Sequence, residues 1–302
     1  GSTKGKHQAA NARRAREQAA AAQRHHEASK ASTRRKQTGA TTASYQGESG
    51  PIVPSDPTVG LVTLSYKKLT GATVVGNDLI RFGGPEVDRL VQEDLIRVSA
   101  LREDRAFLNG NPASGVPAEL GSPIGIRFQT RAANVAAAAG TSLANYQADF
   151  TDLIADVQDT NIPVNPTNSY FLMSPRKFWD LYALATTTGD MIFAAMLSGP
   201  EPRIFGFRVF LTTQLSSANL NVWAGSSGSS LGMVYFVYAP ALEIHDSMQR
   251  TVETFRGGAY RDATGTIQSG ISNDETVITC ISEHDFLQVY DTAAAIKTGY
   301  AS

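Results

Sequence analysis

The stretch from Pro85 to Asn109 constrains this chain more than any other. Pro85 suits a first helical turn, where its missing N–H is no loss, and Glu86 and Asp88 favour the positive end of a helix. Val87, Leu90, Val91, Leu95 and Val98 recur at helical spacing and define one apolar face, with charged residues over much of the rest. Asn109-Gly110 ends the pattern, and the glycine is expected to supply a left-handed cap. At about 1.5 Å per residue such a helix is about 37 Å long. One helix of that length in a 302-residue chain is a spine across a domain. Asp94, Glu103 and Asp104 read as its solvated or subunit-facing side, with Arg97, Arg102 and Arg105 available to them.

What precedes the helix is built differently. Residues 1–42 hold ten Lys/Arg against two acids, a balance of +8, while the other 260 residues carry 17 basic and 26 acidic groups, or −9. A positive tail on an acidic body suits either a polyanion or another copy of the same body. Residues 7–31 have high helix propensity but no large aliphatic side chain, so they have no face to bury and are expected to order only against a partner. Residues 33–72 turn to Thr, Ser and Gly, then to a turn-rich stretch with Pro51, Pro54 and Pro57. Strict alternation follows, with Val62, Leu64 and Tyr66 on one side and Thr63, Ser65 and Lys67 on the other. This reads as a long two-stranded hairpin, too thin to stand alone and expected to lie on a neighbour.

After the helix, a Gly/Pro/Ala-rich connection runs to Gly140. Ser142–Asp159 reads as a helix with Phe150, Leu153, Ile154 and Val157 inward. Ser169–Met173 is expected as a strand, and Ser174-Pro175 opens a further helix to Leu184 with Ser174 as its cap. Phe207–Thr212 and Met233–Tyr238 have strand length, and Thr251–Phe255, Thr276–Ser282 and Phe286–Tyr290 read as a late antiparallel set. Helices and strands segregate rather than alternate, which defines an α+β class. With 42% apolar residues the chain can bury a real core. Its lone cysteine, Cys280, allows no internal disulfide. No apolar run reaches the roughly 20 residues of a membrane helix, and no secretory signal pattern is evident.

Motifs that carry chemistry are scarce. There is no phosphate-binding Gly-rich loop followed by Lys-Ser/Thr, no nucleophile elbow and no Cys-x-x-Cys pair. His25-His26-Glu27 are consecutive and splay around a helix instead of converging on a metal. Glu283-His284-Asp285 lie beside a strand, where alternation sends His284 to the opposite face from the two acids. They read as a surface or interface cluster rather than a catalytic dyad. The basic residues Arg13, Arg14, Arg16, Arg24, Arg34, Arg35 and Lys36 could contact phosphates by charge alone, without base specificity, or dock on the acidic body of a neighbouring subunit. No aromatic residue lies within 1–42, which argues against a base-stacking platform.

A series of short motifs carries a resemblance. Tyr45-Gln46-Gly47-Glu48 is followed by Ile52-Val53-Pro54-Ser55-Asp56-Pro57-Thr58, then Val62–Leu69 with its Lys67-Lys68-Leu69. Next come Val75-Gly76-Asn77-Asp78-Leu79-Ile80 and, closing the long helix, Arg102–Gly110 with Phe107-Leu108-Asn109-Gly110. In order and spacing this resembles the major capsid proteins of tailed bacteriophages, the Hong Kong 97 type. Phe171–Pro175 with Trp179, Gly206-Phe207-Arg208-Val209 (Arg208 standing where the family has proline) and Glu283–Phe286 extend it more weakly. Residues 1–32 depart from the family's usual arm.

The resemblance implies a phage capsid fold with five parts. These are a basic N-terminal arm (1–32), an extended hairpin loop (33–72), a peripheral domain with the spine helix (73–140), an axial domain (141–225), and a return with final strands (226–302). Tyr45, Glu48, Ile52, Val53, Tyr66, Lys67 and Lys68 are then inter-subunit hairpin residues. Some members of the family crosslink Lys to Asn; nothing in the spacing brings Lys67 or Lys68 to Asn273. The implied function is self-assembly into an icosahedral head shell, without enzymatic activity, cofactor, metal or membrane. Implied partners are further copies in pentamers and hexamers, packaged double-stranded DNA, a portal, and scaffold or decoration proteins. The implied location is the virion, assembled in a bacterial host's cytoplasm. The rival readings are an encapsulin-type nanocompartment, which shares the fold, and an unrecognised α+β enzyme.

Overall fold

The computed structural model describes residues 31–39, 58–83, 85–114, 121–185, 199, 201–215, 231–261 and 265–301. The chain divides into two units, Gly1–Tyr66 and Lys67–Ser302. In the first, β1 (Ala31–Gly39) pairs antiparallel with β2 (Thr58–Ser65), with Ala31 opposite Ser65 and Arg35 opposite Leu61. This is the pairing the alternation predicts; the turn-rich stretch between the strands lies outside the described residues. The second strand does not run on through residue 72. Tyr66 belongs to no strand, and β3 (Lys67–Gly76) pairs with a strand near the C-terminus instead. Period-2 alternation reports that a segment is extended, not which sheet it joins.

The second unit continues with α1 (Asn77–Gly83), the spine α2 (Pro85–Asn109) and the short α3 (Ile126–Gln129). Then come β4 (Val135–Ala137), α4 (Leu143–Gln158), β5 (Ser169–Met173), α5 (Pro175–Tyr182), β6 (Arg203–Ile204), β7 (Phe207–Leu211) and β8 (Leu231–Tyr238). The C-terminal part is β9 (Leu242–Arg256), β10 (Ala259–Arg261), β11 (Ile267–Ser269), β12 (Glu275–Gln288) and β13 (Ala294–Ala301). Strands β3-β12-β9 form an antiparallel sheet, β10 pairs with β11, and a mixed six-stranded sheet runs β4-β13-β8-β5-β7-β6.

Alternation along β8 builds two cores from the six-stranded sheet. Val234 and Phe236 face Phe150 and Leu153 of α4 and Phe178 and Leu181 of α5. Met233, Tyr235 and Val237 face the other way, against Leu108 at the end of the spine, Ile126 and Phe286. A sheet covered on both faces explains why Met233–Tyr238 is apolar at every position. Helix α4 starts where Ser142 accepts a hydrogen bond from the Asn145 N–H (3.3 Å), and α5 where Ser174 accepts one from Lys177 N–H (3.2 Å).

The spine ties the sheets together. Leu95, with Val91 beside it, packs on Val75, Ile278 and Cys280 of the three-stranded sheet, while Leu108 enters the second core of the six-stranded one. The expected apolar face is narrower than its periodicity implies: Leu90 is 68% and Val98 51% exposed. The helix crosses only three strands there, too few to cover a full stripe.

Gly110 also differs from expectation. It is not among the residues of positive φ, so it is no left-handed cap. A Cβ at this position would lie 2.2 Å from the Pro123 carbonyl oxygen and 2.5 Å from that of Ala106. Glycine is required by close backbone approach, sealed where Gly125 N–H donates to the Gly110 carbonyl (2.9 Å).

Just before it, the buried Tyr235 hydroxyl donates to Asn109 Oδ1 at 2.7 Å, joining the spine's end to β8. Tyr235→Phe would strand that acceptor in the core. The expected cost is about 1–3 kcal/mol in denaturant titration of the dissociated subunit.

The late strands are longer than expected. Thr276–Ser282 and the start of the Phe286–Tyr290 segment form the single strand β12, and Thr251–Phe255 is part of the 15-residue β9. No break separates the first two: β12 pairs with β3 without a register shift from Glu275 to His284, and the extra residues of the β9–β12 irregularities lie on β9, where Thr251 to Met248 is three steps against two from Ile281 to Glu283. The polar run Ser282–Asp285 mimics a turn in the sequence while the strand runs on, and the bulges fall on its partner.

Candidate functional site

The structure separates the sequence-predicted site residues into four groups. Arg13, Arg14, Arg16, Arg24, Tyr45, Glu48, Ile52 and Val53 lie outside the described residues, as do His25, His26 and Glu27. Arg34, Arg35 and Lys36 fall in β1 of the first unit, at register positions opposite Val62, Leu61 and Gly60. Lys67 and Lys68 open β3, paired with His284 and Glu283 of β12. Tyr66 lies between β2 and β3.

The two lysines border a recess of about 250 Å³ in the second unit, walled by Arg102, Glu103 and Ala106 of the spine, Ser122-Pro123 and His284. Lysines and arginine outnumber the one carboxylate, and Glu103 is itself ion-paired with Arg250 of β9. Glu103 is therefore not a solvated helix charge as the sequence suggests; a strand that only the fold brings near holds it. The other expected pair is local, with Arg97 on Asp94 at 2.5 Å. Glu283, His284 and Asp285 are all buried, not the surface cluster expected. His284 packs edge-on against Phe107 (5.1 Å between centroids), and Phe107 stacks on Phe286 (5.3 Å). Among the described residues no group of three or more His, Cys, Asp or Glu could hold a metal ion.

Burial raises the Asp104 carboxyl above its ordinary value of 3.8, against the opposing pull of Arg250. The folded state therefore holds this proton more tightly than the unfolded chain. Stability from this group is greatest below 3.8 and is lost as pH rises through the raised value. Asp104→Asn is expected to stabilise the subunit at pH 7 and to change little at pH 3, as read by denaturant midpoints at the two pH values.

A denser polar network lies under α4, and sequence reasoning missed it. Asp149, 1% exposed, receives Lys297 Nζ at 3.3 Å and the Tyr300 hydroxyl at 2.9 Å, and the Ala139 N–H donates to it. Lys297 also reaches Asp152 at 3.1 Å. Next to them Lys177 Nζ, itself buried, donates to the Tyr146 hydroxyl (2.9 Å) and lies over the Tyr146 and Tyr300 rings. Burial lowers the Lys177 pKa, and burial with the Asp149 charge raises that of Tyr300. Partners within the fold engage Asp149 from three directions, an arrangement that fastens α4 to β13. One signal was available: Tyr146, Asp149, Phe150, Leu153 and Val157 share one helical stripe, so an acid sits inside an apolar face.

Large apolar side chains remain uncovered on the isolated subunit. Phe82 is 90% exposed, and Leu79, Leu90, Ile96 and Val98 accompany it along α1 and α2. Trp179 and Phe205 are 55% and 54% exposed around the six-stranded sheet.

With this architecture in place, the comparisons with known proteins are decisive as to class. The chain matches the phage capsid family over residues 18–298, and it belongs to that family. The major capsid protein of Klebsiella oxytoca phage phiKO2 is 26% identical over 261 residues, which cover 86% of this chain and 58% of that protein. The chain thus spans a little over half the length of that relative. Among solved structures, one from Mycobacterium phage Ogopogo superposes with a TM-score of 0.67 at 16% identity, covering 90% of this chain and 87% of the other. The capsid of a native GTA particle gives 0.64 at 14%, covering 90% and 86%. A structure from Gordonia phage Cozz gives 0.64 at 14%, covering 89% and 81%. At these identities the superpositions establish the fold, the mixed helix-and-sheet capsid fold that the spine and hairpin motifs resemble.

Proposed function

We propose that the chain is a major capsid protein that self-assembles into the icosahedral head shell of a tailed double-stranded DNA phage and encloses the genome. The observation that carries this reading is membership of the phage capsid family over nearly the whole chain. The uncovered apolar side chains of α1 and α2 fit it, because a subunit that functions only among copies of itself leaves such surface for them. Under this reading 1–32 is the basic arm, 33–66 the extended hairpin, 67–140 the peripheral domain, which β3 joins through its pairing with β12, 141–225 the axial domain and 226–302 the return. Tyr66, Lys67 and Lys68 sit at the hairpin's root. Heterologous contacts that close into rings supply pentamers and hexamers, and many weak contacts per subunit make the shell cooperative.

The +8 tail serves the cargo if it faces inward, where Arg13, Arg14, Arg16, Arg24, Arg34, Arg35 and Lys36 meet phosphates by charge. A portal and scaffold or decoration proteins complete the head. No catalytic role is assigned to the chain, and the buried Asp149 network serves packing. Light scattering on the purified protein tests the reading: particles of megadalton mass are expected, and a monomer at all concentrations contradicts it. Nuclease-protected DNA in particles from infected cells tests the cargo, and density for residues 1–32 on the outer surface would exclude the inward tail.

A further inference from the structure

The recess beside the spine holds two cations that the subunit's own fold leaves unused. Lys67 and Lys68 open β3, an edge strand of its sheet, and both border the recess of about 250 Å³. Lys67 is half-buried and Lys68 exposed, and neither makes an ion pair or a hydrogen bond with a described residue. Glu283 stands opposite Lys68 in the β3–β12 register, but it is buried and no part of the recess wall. The carboxylate that does line the recess, Glu103, is taken by Arg250 of β9. Arg102 of the spine adds a third cation to the wall, and His284 is held there against Phe107. The charge of the two lysines is therefore unmatched at this point of the surface.

Such a recess selects an oxyanion, and its size narrows the choice. Pockets for whole small-molecule ligands run to about 300–1,000 Å³, so this smaller one suits the end group of a single side chain. Charge then points to the source. Residues 43–302 carry 26 acidic and 17 basic groups, so the body of a second copy offers carboxylates in excess. The cations suited to DNA are concentrated instead in residues 1–42, ten against two acids. Lysine is apt for the task, because its compact ammonium on a flexible stem can turn to meet a carboxylate as it enters.

We infer that the recess between β3, the spine and Ser122-Pro123 receives an Asp or Glu side chain of a second copy of the chain, with Lys67 and Lys68 as the groups that pair with it. This rests on the capsid reading and deepens it, because it names the chemistry of one contact between neighbours. The walls shield the pair from solvent on the side of the spine, and repetition over every copy makes a weak contact count in the shell.

The test uses particles of the full chain assembled from equal parts of heavy-isotope and unlabelled subunits; forming them at all is the capsid reading's own test. A water-soluble carbodiimide then joins an ammonium to a carboxylate that touches it: the lysine nitrogen bonds to the carboxyl carbon, and one carboxyl oxygen leaves on the reagent as a urea. Mass spectrometry of the digest should find Lys67 or Lys68 linked to an Asp or Glu, with one heavy and one light peptide among the linked pairs. The double variant Lys67→Gln, Lys68→Gln should keep the thermal midpoint of the dissociated subunit and raise the subunit concentration needed for particles by about tenfold. Three results would overturn the inference while the particles, and with them the capsid reading, stand. One is linkage only within a single isotopic species, which would give the lysines to an acid of their own copy. Another is assembly of the double variant at the wild-type concentration. The third is acetylation of both lysines that rises only when packaged DNA is removed, which would give the recess to a phosphate.

Discussion

Replacing Asp149 with alanine is expected to destabilise the subunit by about 3–5 kcal/mol, because removing one partner of a buried ion pair leaves the other uncompensated. The carboxylate is 1% exposed and the Lys297 side chain 8%. Alanine also takes the acceptor from the Tyr300 hydroxyl and from the Ala139 N–H. Asp152 still holds Lys297 at 3.1 Å, and that side chain is more than half exposed, so the effect should fall toward the lower end of the range. The double variant Asp149→Leu, Lys297→Met removes both charges together and should recover most of the loss. Burial pulls the Lys297 pKa down, but its bonds and charge pairing with Asp152 and Asp149 outweigh this and leave it above 10.5. The lysine's contribution is therefore full at neutral pH and is lost as pH rises through that raised value. Guanidinium titration of the dissociated subunit followed by circular dichroism measures each variant. A cost below about 1 kcal/mol for Asp149→Ala would put the anchoring of α4 elsewhere.

The second large effect is expected at Phe171. It is fully buried at the centre of the larger core, and its ring meets Phe236 at 4.7 Å, Phe150 at 5.3 Å and Phe207 at 6.1 Å. Those rings come from β8, α4 and β7, so Phe171→Ala opens a cavity where three elements converge. The expected loss is about 3–5 kcal/mol, with the upper part reached if the surrounding rings cannot collapse into the space. Phe171→Leu should cost markedly less. Equal losses for the two would mean that ring geometry rather than volume sets the packing. Neither variant touches the exposed surfaces, so any assembly they retain should show normal contacts.

Much of this fold is legible in the sequence, and the misses share one cause. Pro85 and its two following acids locate the spine's start, and Ser174 locates the cap of α5, because each signal is chemistry within a single turn. What depends on distant chain is not legible locally. The partner of the segment after Tyr66, the continuity of β12 past Ser282, and the Glu103–Arg250 pair are all set by tertiary neighbours. Gly110 reads as a cap from its neighbours alone, because local sequence cannot show that the Pro123 carbonyl comes within reach of it. The same limit hid the Asp149 network, whose lysine lies about 150 residues away along the chain. At Phe205 the one local sign is Phe-Gly, an unusual turn pair between two short strands, and the strain itself is visible only as a backbone angle.

Cryo-electron microscopy of the purified, assembled chain tests the central claim most directly. The expected result is closed isometric particles whose shell density accepts this fold repeatedly around five-fold and six-fold positions, with the hairpin of each copy lying over a neighbour. Discrete monomers or dimers under every assembly condition, or a shell whose density does not accept the spine helix and its two sheets, would contradict it.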